Sequence, residues 1–202
     1  MAGAPQRKQP SLSRETFRAF TASRPDEERW ELIDGVAVMM TPPTKAHQRI
    51  ASNLETLLLS ALEGHAPHLT AYQRLGVNLG PEAKHYDPEP DVIVIDAEIG
   101  PDIDERYADR FYLAAEIVSL SDKTFVRAKR EIYRQHEACK CVLVVQQNQF
   151  EVSVDLRGNA AWKEQLLTNP DDLLVLPDFG LRCKLSDLYR GTALQPRNAT
   201  KS

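Results

Sequence analysis

The sequence predicts an α/β fold in which helices flank a central mixed β-sheet and a β-hairpin lies near the N-terminus. Two continuous apolar runs, DVIVID and FYLAAEIVSL, are typical of strands that other elements cover on both faces. Two longer segments repeat apolar residues at spacings of three and four, which indicates helices with one buried face. Because these helices and strands alternate along the chain, a sheet with helices packed on it is the expected architecture.

The N-terminal part of the chain predicts a short helix, a hairpin and a long helix. Residues 11–23 could form the short helix, with Ser11 or Ser13 as its cap. The dipeptide Asp34-Gly35 within WELIDGVAVMM is typical of a turn between two short strands. The long helix is expected at residues 44–63. Its buried face would contain Ile50, Ala51, Leu54, Leu57, Leu58 and Ala61, with His47 one turn earlier.

The rest of the chain predicts strands around one further helix. The segment TAYQRLGVNLG alternates apolar and polar residues as a strand does, and it precedes the two apolar runs. A helix is expected from about Asp122 to Ala138. It is followed by CVLVVQQN and FEVSVDLR, which predict a strand, a turn and a strand, and then by short elements in LLVLPDFGLRCKLSDLYR.

Length and composition favour one globular domain. With 42% hydrophobic side chains, 202 residues are enough for one substantial core and short for two. We expect a single domain at 11–190 between flexible tails at 1–10 and 191–202. No apolar run approaches the roughly 20 residues of a membrane span, and no signal-peptide core begins the chain, so a cytoplasmic protein without a membrane partner is expected. The three cysteines are expected to be reduced, buried and inert.

Charge is unevenly distributed along the chain. The net charge of −4 excludes an overall basic surface of the kind that binds nucleic acid. Residues 81–116 contain eleven Asp and Glu against three Lys and Arg, whereas residues 121–140 contain six Lys and Arg against three Asp and Glu. A nucleic-acid partner would therefore have to be bound by local basic patches.

Two carboxylates lie where a sheet interior would ordinarily exclude them. Asp91 stands at the mouth of one core strand, and Glu116 interrupts the middle of the next. An unpaired buried carboxylate costs several kcal/mol, so Glu116 needs a partner. Lys129 could be that partner, because it shares a helix face with large residues such as Ile132 and Tyr133. An ordinary internal ion pair, or a lysine whose ammonium reaches solvent, explains the same periodicity at least as well.

Two further residues extend this set to a candidate metal and phosphate site. Glu31 opens the predicted hairpin, and His47 lies in the first turn of the long helix. Taken singly, a solvated glutamate and a structural histidine are the more usual interpretations. Taken together, carboxylates from separate elements and one lysine match the needs of a hard divalent cation and an activated water. The set therefore indicates Mg²⁺-dependent phosphate chemistry.

The segments that contain these residues resemble a known nuclease family. Pro90-Asp91, Glu116 in the next core strand and then a lysine are similar to the PD-(D/E)XK nuclease superfamily. More narrowly, WELIDGVAVMMTPPTKAHQRI, PEPDVIVID, AAEIVSLSDKTFVRAKREIY and CVLVVQQNQFEV resemble the Uma-type restriction endonuclease-like family, in family order over residues 28–188. The resemblance implies a restriction-endonuclease-like core.

A metal-dependent DNA endonuclease is the activity that the resemblance implies. Asp91, Glu116 and the backbone carbonyl of Ile117 would bind Mg²⁺ or Mn²⁺, with Glu31 as an additional acidic ligand. A metal-activated water would attack the phosphorus, and a lysine would position or deprotonate that water. His47 could contact the scissile phosphate or orient Glu31, or it could only fasten the long helix to the hairpin.

The position of the lysine departs from the superfamily pattern. The motif would place it two residues after Glu116, where this sequence has Val118. The Uma-type family shares this departure and has its lysine four residues before a tyrosine, which here is Lys129 before Tyr133. Lys123 is a second candidate, although it lies where the helix begins and a solvated charge is expected.

DNA is the partner that the resemblance implies, and a homodimer that cuts both strands is the assembly it suggests. Segment 98–110, between the two site strands, could lie near the substrate or could be a solvated acidic connection. The alternative function is a nuclease-fold protein that binds DNA or another protein without cleavage. Basic residues near the candidate lysine could follow the phosphate backbone, namely Lys123, Arg127, Arg130 and Arg134.

Overall fold

A six-stranded mixed sheet and three two-stranded sheets make up the β structure of the protein. The computed structural model describes residues 11–25, 27–98, 106–118 and 123–196, with the backbone alone for residues 123–124. The strands are β1 (Trp30–Ile33), β2 (Val36–Met39), β3 (Leu69–Tyr72), β4 (Gly76–Val77), β5 (Val92–Asp96), β6 (Tyr107–Ala108), β7 (Leu113–Val118), β8 (Cys141–Gln146), β9 (Val152–Arg157), β10 (Trp162–Leu167), β11 (Leu173–Leu176) and β12 (Leu181–Lys184).

The strands of the central sheet follow the order β10-β9-β8-β7-β5-β3. Neighbouring strands are antiparallel except β7 and β8, which are parallel and have helix α3 (Lys123–Gln135) between them in the chain. Such a crossover is what parallel strands require, because a short turn cannot connect them. The small sheets pair β1 with β2, β4 with β6 and β11 with β12.

Helices α2 and α3 cover opposite faces of the central sheet. Helix α2 (Lys45–His65) begins where the Thr44 side chain accepts a hydrogen bond from the backbone N–H of His47 at 3.1 Å. Fully burying each large apolar side chain stabilises the fold by about 1.5–3 kcal/mol. Helices α1 (Arg14–Thr21) and α4 (Leu185–Leu188) are shorter. The buried face of α2 consists of Ile50, Ala51, Leu54, Leu58 and Leu62.

The pleat of β5 divides its side chains between the two helices. Val92 and Val94 belong to the apolar cluster that contains the buried face of α2. Ile93 and Ile95 belong to the second cluster, which contains Tyr133 of α3. Since side chains alternate along a strand, the same rule assigns every residue of the neighbouring strand β7 to one helix or the other.

The N-terminal hairpin is attached to the segment that leads into β5. Asp34 and Gly35 both have positive φ, 51° and 76°, which is the geometry of the tight turn that joins β1 and β2. Leu32 exchanges two backbone hydrogen bonds with Asp87, at 2.9 and 3.3 Å. Because these bonds hold β1 beside residues 87–91, the hairpin carries its side chains toward the start of β5.

Helix α1 is attached by an ion pair to the same lead segment. Ser13 caps the helix by accepting a hydrogen bond from the backbone N–H of Thr16, which decides between the two predicted caps. Arg18 donates two hydrogen bonds to the buried carboxylate of Asp87, at 2.7 and 3.0 Å. Asp87 therefore has a structural partner outside the cluster of Asp91 and Glu116 described below.

The predicted architecture is confirmed, with differences at element boundaries. The hairpin, the long helix, both apolar core strands and the helix between β7 and β8 are present. Strand β10 was not predicted, because its residues 163–166 are all exposed and show no alternation. The predicted C-terminal tail begins with packed residues, since Thr192 is buried and Leu194 contacts the core. The predicted N-terminal tail at 1–10 lies outside the described residues.

The cysteines are free and buried, as predicted. Burial raises the pKa of the Cys139 thiol to about 12 and that of Cys183 to about 11, so both remain protonated and unreactive at neutral pH. Across the described ranges, no helix combines the length and the apolar character needed to cross a membrane.

Candidate active site

Two adjacent strands bring Asp91 and Glu116 together. Val92 of β5 is paired with Ala115 of β7, so the next residues outward on the two strands are Asp91 and Glu116. The backbone N–H of Ile117 donates a hydrogen bond of 2.7 Å to Asp91 Oδ2. The pleat places Glu116 on the α3 side, on the same side as Ala114. The predicted pair therefore lies at one point of the sheet.

Helix α3 supplies both partners of the Glu116 carboxylate. Lys129 and Tyr133 are one helical turn apart, and each is buried. The Lys129 ammonium donates to Glu116 Oε2 at 2.7 Å, and the Tyr133 hydroxyl donates to Glu116 Oε1 at 2.7 Å. The predicted contact between Glu116 and Lys129 is thus present, and sequence reasoning missed the hydroxyl contact of Tyr133.

The hairpin supplies a third carboxylate, Glu31, which is only 3% exposed. Its two oxygens lie 3.0 and 3.1 Å from the Lys129 ammonium. The backbone N–H of Glu89 also donates to Glu31 Oε1 at 2.8 Å. Lys129 therefore lies between Glu31 and Glu116 and connects the hairpin to the central sheet.

His47 contacts Asp91 and not Glu31. Its Nε2 lies 3.1 Å from Asp91 Oδ2, which also accepts from Ile117. A carboxylate only accepts hydrogen bonds, so Nε2 carries the proton in this contact. The other ring nitrogen, Nδ1, is buried and has no hydrogen-bond partner among the residues the structure describes. The predicted contact of His47 with Glu31 is thus replaced by a contact with Asp91, and the role of the histidine stays a prediction.

The site contains more negative charge than its lysine balances. Burial raises the pKa of Glu116 to about 8, against the pull of Lys129 and with help from the charges of Asp91 and Glu31. Burial likewise raises the pKa of Glu31. Burial alone would lower the pKa of Lys129, but the charges of Glu116, Glu31 and Asp91 outweigh it and raise that pKa. Lys129 is therefore a cation, and Glu116 keeps a proton below a pH of about 8. Loss of that proton to an incoming cation would bring the combined charge of Lys129, Glu31, Asp91 and Glu116 to about −2.

Comparison with known proteins identifies the family. Residues 14–186 match the family model described as "Uma2: Putative restriction endonuclease". This protein belongs to the Uma2 family. The chain is also similar in fold to the crystal structure of "a putative nuclease belonging to DUF820" from Anabaena variabilis ATCC 29413, with a TM-score of 0.66 and 19% identity over 84% of this chain and 94% of the other. No curated protein matches. The family description supports a nuclease.

The donor atoms of this Uma2 site fit a hard divalent cation. Asp91 and Glu116 offer carboxylate oxygens on adjacent strands, and the excess negative charge favours a dication. Mg²⁺ needs only one or two protein carboxylates, because it keeps several of its waters. Within the described part of the chain, no three Asp, Glu, His or Cys side chains form a ready metal cluster. Both oxygens of Glu31 contact the Lys129 ammonium, whereas Glu116 meets that ammonium through one oxygen and the Tyr133 hydroxyl through the other.

The basic residues predicted to follow DNA fall into two groups. Arg130 donates two hydrogen bonds of 2.5 Å to the buried Asp155, and Arg134 donates to Glu164 at 2.7 Å. Arg127 is exposed and lines a cavity of about 310 Å³ on the outer side of α3. The side chain of Lys123 lies outside the described residues, as does segment 99–105 of the loop predicted to lie near the substrate.

A second cavity, of about 320 Å³, opens beside Asp91. Sequence reasoning did not single out Gln73 or Arg74, because polar residues after a strand are ordinary in a surface loop. A single charged residue such as Arg74 in this loop interrupts no apolar periodicity, so no sequence pattern indicates it. The residues that line this cavity are His47, Gln48, Ala51, Gln73, Arg74 and Asp91.

Proposed function

We propose that this protein is a metal-dependent endodeoxyribonuclease that hydrolyses phosphodiester bonds through a metal-activated water. The observation that carries the proposal is the burial of Lys129 among the carboxylates of Glu31, Asp91 and Glu116, which come from three separate elements. Buried charge of this kind is costly to the fold, and strongly perturbed charges in one cluster are typical of functional sites. The Uma2 family description supports the same reaction class.

Asp91, Glu116 and the backbone carbonyl of Ile117 would hold Mg²⁺ or Mn²⁺. When bound, such a cation supplies an activated water and neutralises charge on the phosphate. His47 and the backbone N–H of Ile117 fix one oxygen of Asp91, and Tyr133 fixes one oxygen of Glu116. Partners of this kind hold metal-binding carboxylates in one orientation before the cation arrives.

Lys129 acts in this proposal as a donor and a positive charge. Its raised pKa keeps the ammonium protonated at neutral pH, so it orients the attacking water and offsets charge on the phosphate. A lysine that served as the base would need a lowered pKa. Between the two roles predicted from the sequence, the electrostatics therefore favour positioning over deprotonation. Glu31 keeps the ammonium in place from the hairpin side.

DNA is the proposed substrate, and a homodimer is the proposed assembly for cutting two strands. Arg127 and Lys123 are the members of the predicted basic set that we assign to the phosphate backbone. Arg130 and Arg134 are occupied by Asp155 and Glu164, so contact with DNA would require them to exchange partners.

The deciding experiment compares two Asp→Asn variants near opposite ends of β5. Asp91→Asn removes a proposed ligand, whereas the control Asp96→Asn changes only a carboxylate that accepts from the Tyr112 hydroxyl. Mn²⁺ binding is measured by calorimetry, and cleavage of supercoiled and single-stranded DNA is followed with Mg²⁺ or EDTA. We expect Asp91→Asn to lose more than about 100-fold in cleavage and at least about 10-fold in metal affinity. Asp96→Asn should match wild type.

Other outcomes separate the alternatives. Wild-type protein that binds Mn²⁺ and DNA without cutting either substrate would favour the non-cleaving nuclease-fold alternative. Equal cleavage by Asp91→Asn and wild type would contradict the site assignment. Absence of metal binding in wild type would contradict the metal-dependent mechanism itself.

A further inference from the structure

An exposed arginine, Arg74, shares the cavity of about 320 Å³ with Asp91 and His47. The volume of this cavity lies at the lower end of the range for ligand pockets in proteins. One wall of the cavity is Asp91, which is a proposed metal ligand, so a group bound in the cavity would lie next to the reaction centre. The chemistry of the other cavity residues therefore indicates which part of a substrate belongs there.

Arg74 has no carboxylate within ion-pair distance among the residues that the structure describes. Arg29, by contrast, is paired with Glu89, and it lies close enough to Arg74 for the two like charges to interact. The charges of Glu31 and Asp91 also act on Arg29, whereas the exposed guanidinium of Arg74 lies beside Asp91 in the cavity without an ion-paired carboxylate among the described residues. An anion is the group that such a guanidinium would bind.

The backbone holds Arg74 in a position that the residue does not prefer. Its φ is +56°, a left-handed conformation that is uncommon for residues other than glycine. The preceding strand β3 is paired with β5, and Gly76 two residues later is paired with Tyr107. The neighbouring Gln73 donates to Glu55 of α2 at 2.5 Å. The loop backbone is thus anchored on both sides of Arg74, which places the arginine at the wall of the cavity.

We infer that Arg74 binds a backbone phosphate of the DNA strand, next to the scissile phosphate, and so positions the substrate over Asp91. The planar guanidinium offers paired donors that match two phosphate oxygens, which a neutral side chain cannot do. This inference rests on the proposed nuclease function and extends it, because the acidic metal site alone would repel a phosphate backbone before a cation binds. Arg74 supplies positive charge beside Asp91 in this cavity, where a phosphate that enters the cavity would meet it.

The test measures both DNA binding and steady-state cleavage for Arg74→Gln. Binding of a short fluorescein-labelled duplex is followed by anisotropy in Mg²⁺ at several salt concentrations, in a Glu116→Gln background that should not cut the probe. We expect the Kd and the KM to rise about 10-fold or more, while kcat stays within about 3-fold of its wild-type value. The slope of log affinity against log salt concentration should decrease by about one, which corresponds to one lost phosphate contact.

Three further variants separate a phosphate contact from a structural effect. Arg74→Lys keeps the charge without the paired donors, so its affinity should lie between those of wild type and Arg74→Gln. Arg74→Gly relieves the positive φ and should raise the melting temperature while it weakens DNA binding as Arg74→Gln does. Arg182→Gln removes an exposed arginine of the remote β11-β12 sheet and should leave binding and cleavage unchanged.

Failure of this inference can be told from failure of the proposed function. Equal DNA affinity and KM for Arg74→Gln and its parent would overturn the inference while metal-dependent cleavage by wild type still stood. If Arg74→Gln weakens DNA binding but wild-type protein cuts no DNA, the phosphate contact would be supported and the proposed nuclease activity would be contradicted. Absence of DNA binding by every variant would overturn the inference.

Discussion

Helix α3 contains two charged clusters whose charge balance differs. On the sheet side, Lys129 contacts Glu31 and Glu116 and lies near Asp91, so one cation faces three carboxylates. On the side facing β9 and β10, Arg130 and Arg134 form ion pairs with Asp155 and Glu164, and Arg134 also lies 3.9 Å from the exposed Glu131. We call the second cluster balanced, because each of its arginines pairs with a carboxylate of β9 or β10, and the first unbalanced, because one ammonium is shared by the buried Glu31 and Glu116.

Under the proposed function, this difference separates the cluster that acts on the substrate from one that only stabilises the fold. Both clusters contain a buried carboxylate, because Glu116 is 5% and Asp155 is 0% exposed. Burial alone therefore does not identify the site. Burial, reinforced by the charges of Asp91 and Glu31, raises the pKa of Glu116 to about 8 although Lys129 opposes the rise. In the balanced cluster, the hydrogen bonds to Asp155 raise the pKa of Arg130. Unbalanced charge is the property that favours a metal ion.

Removal of Lys129 should give the largest effect. Lys129→Met deletes the donor to water and phosphate, so we expect cleavage to fall by more than about 1,000-fold. Mn²⁺ affinity should be retained or increased, because an ammonium no longer competes for the carboxylates. The control is Lys163→Met, an exposed lysine of β10. Calorimetry and plasmid cleavage measure both quantities, and loss of metal binding would instead mean that Lys129 organises the acidic cluster.

The unbalanced cluster should also make metal-free stability depend on pH. The raised pKa means that folded Glu116 holds its proton up to a pH of about 8, whereas in the unfolded chain it is lost near 4.5. The folded state thus binds one more proton at Glu116 between these values, so the contribution of Glu116 to stability is fully present below pH 4.5 and is lost as pH rises toward 8. The slope should approach about 1.4 kcal/mol per pH unit for one proton.

Thermal melts in EDTA between pH 5 and 8 measure this dependence. Glu116→Gln should flatten the curve and melt above wild type at pH 8, since it removes the buried charge. The exposed control Glu63→Gln should follow wild type at every pH. A wild-type curve that rises from pH 5 to 8 would contradict the direction of the pKa shift.

Disruption of the balanced cluster should change stability without changing the reaction. Arg130→Met leaves the buried Asp155 with one cationic partner among the described residues, Arg134 at 3.7 Å. The free energy of unfolding should therefore fall by about 3 kcal/mol. Cleavage by the folded fraction should stay within about twofold of wild type. Urea unfolding and kcat at low temperature measure the two effects, and a large loss of kcat would mean that Arg130 contacts DNA after all.

The elements of the fold could be predicted because their signals are local. Asp34-Gly35 predicts the hairpin, since both turn positions need positive φ. The continuous apolar run of β5 predicts a strand covered on both faces, and the spacing of apolar residues in α2 reveals its buried face. Strand β10 could not be predicted in this way, because the side chains of its central residues are exposed on both faces of the strand. Its position depends on pairing with β9, which no local pattern reports.

The candidate site was partly predictable for a related reason. Asp91, Glu116 and Lys129 stand out because each interrupts an apolar pattern, and a charge in such a place requires an explanation. Arg74 gave no such signal, because an arginine in a surface loop is ordinary until its neighbours are known. The partner of His47 was also undecided from sequence, since Glu31 and Asp91 come from different elements that only folding brings near one helix.

The sequence by itself determined which segments form strands and helices, and which of them carry charge into the core, because periodicities of 2.0 and 3.6 residues are local properties of the chain. Only the tertiary structure decided that Lys129 meets Glu31 and Glu116 while its neighbour Arg130 meets Asp155. Electrostatic energy depends on distance and burial, and both are set by elements that lie far apart in sequence.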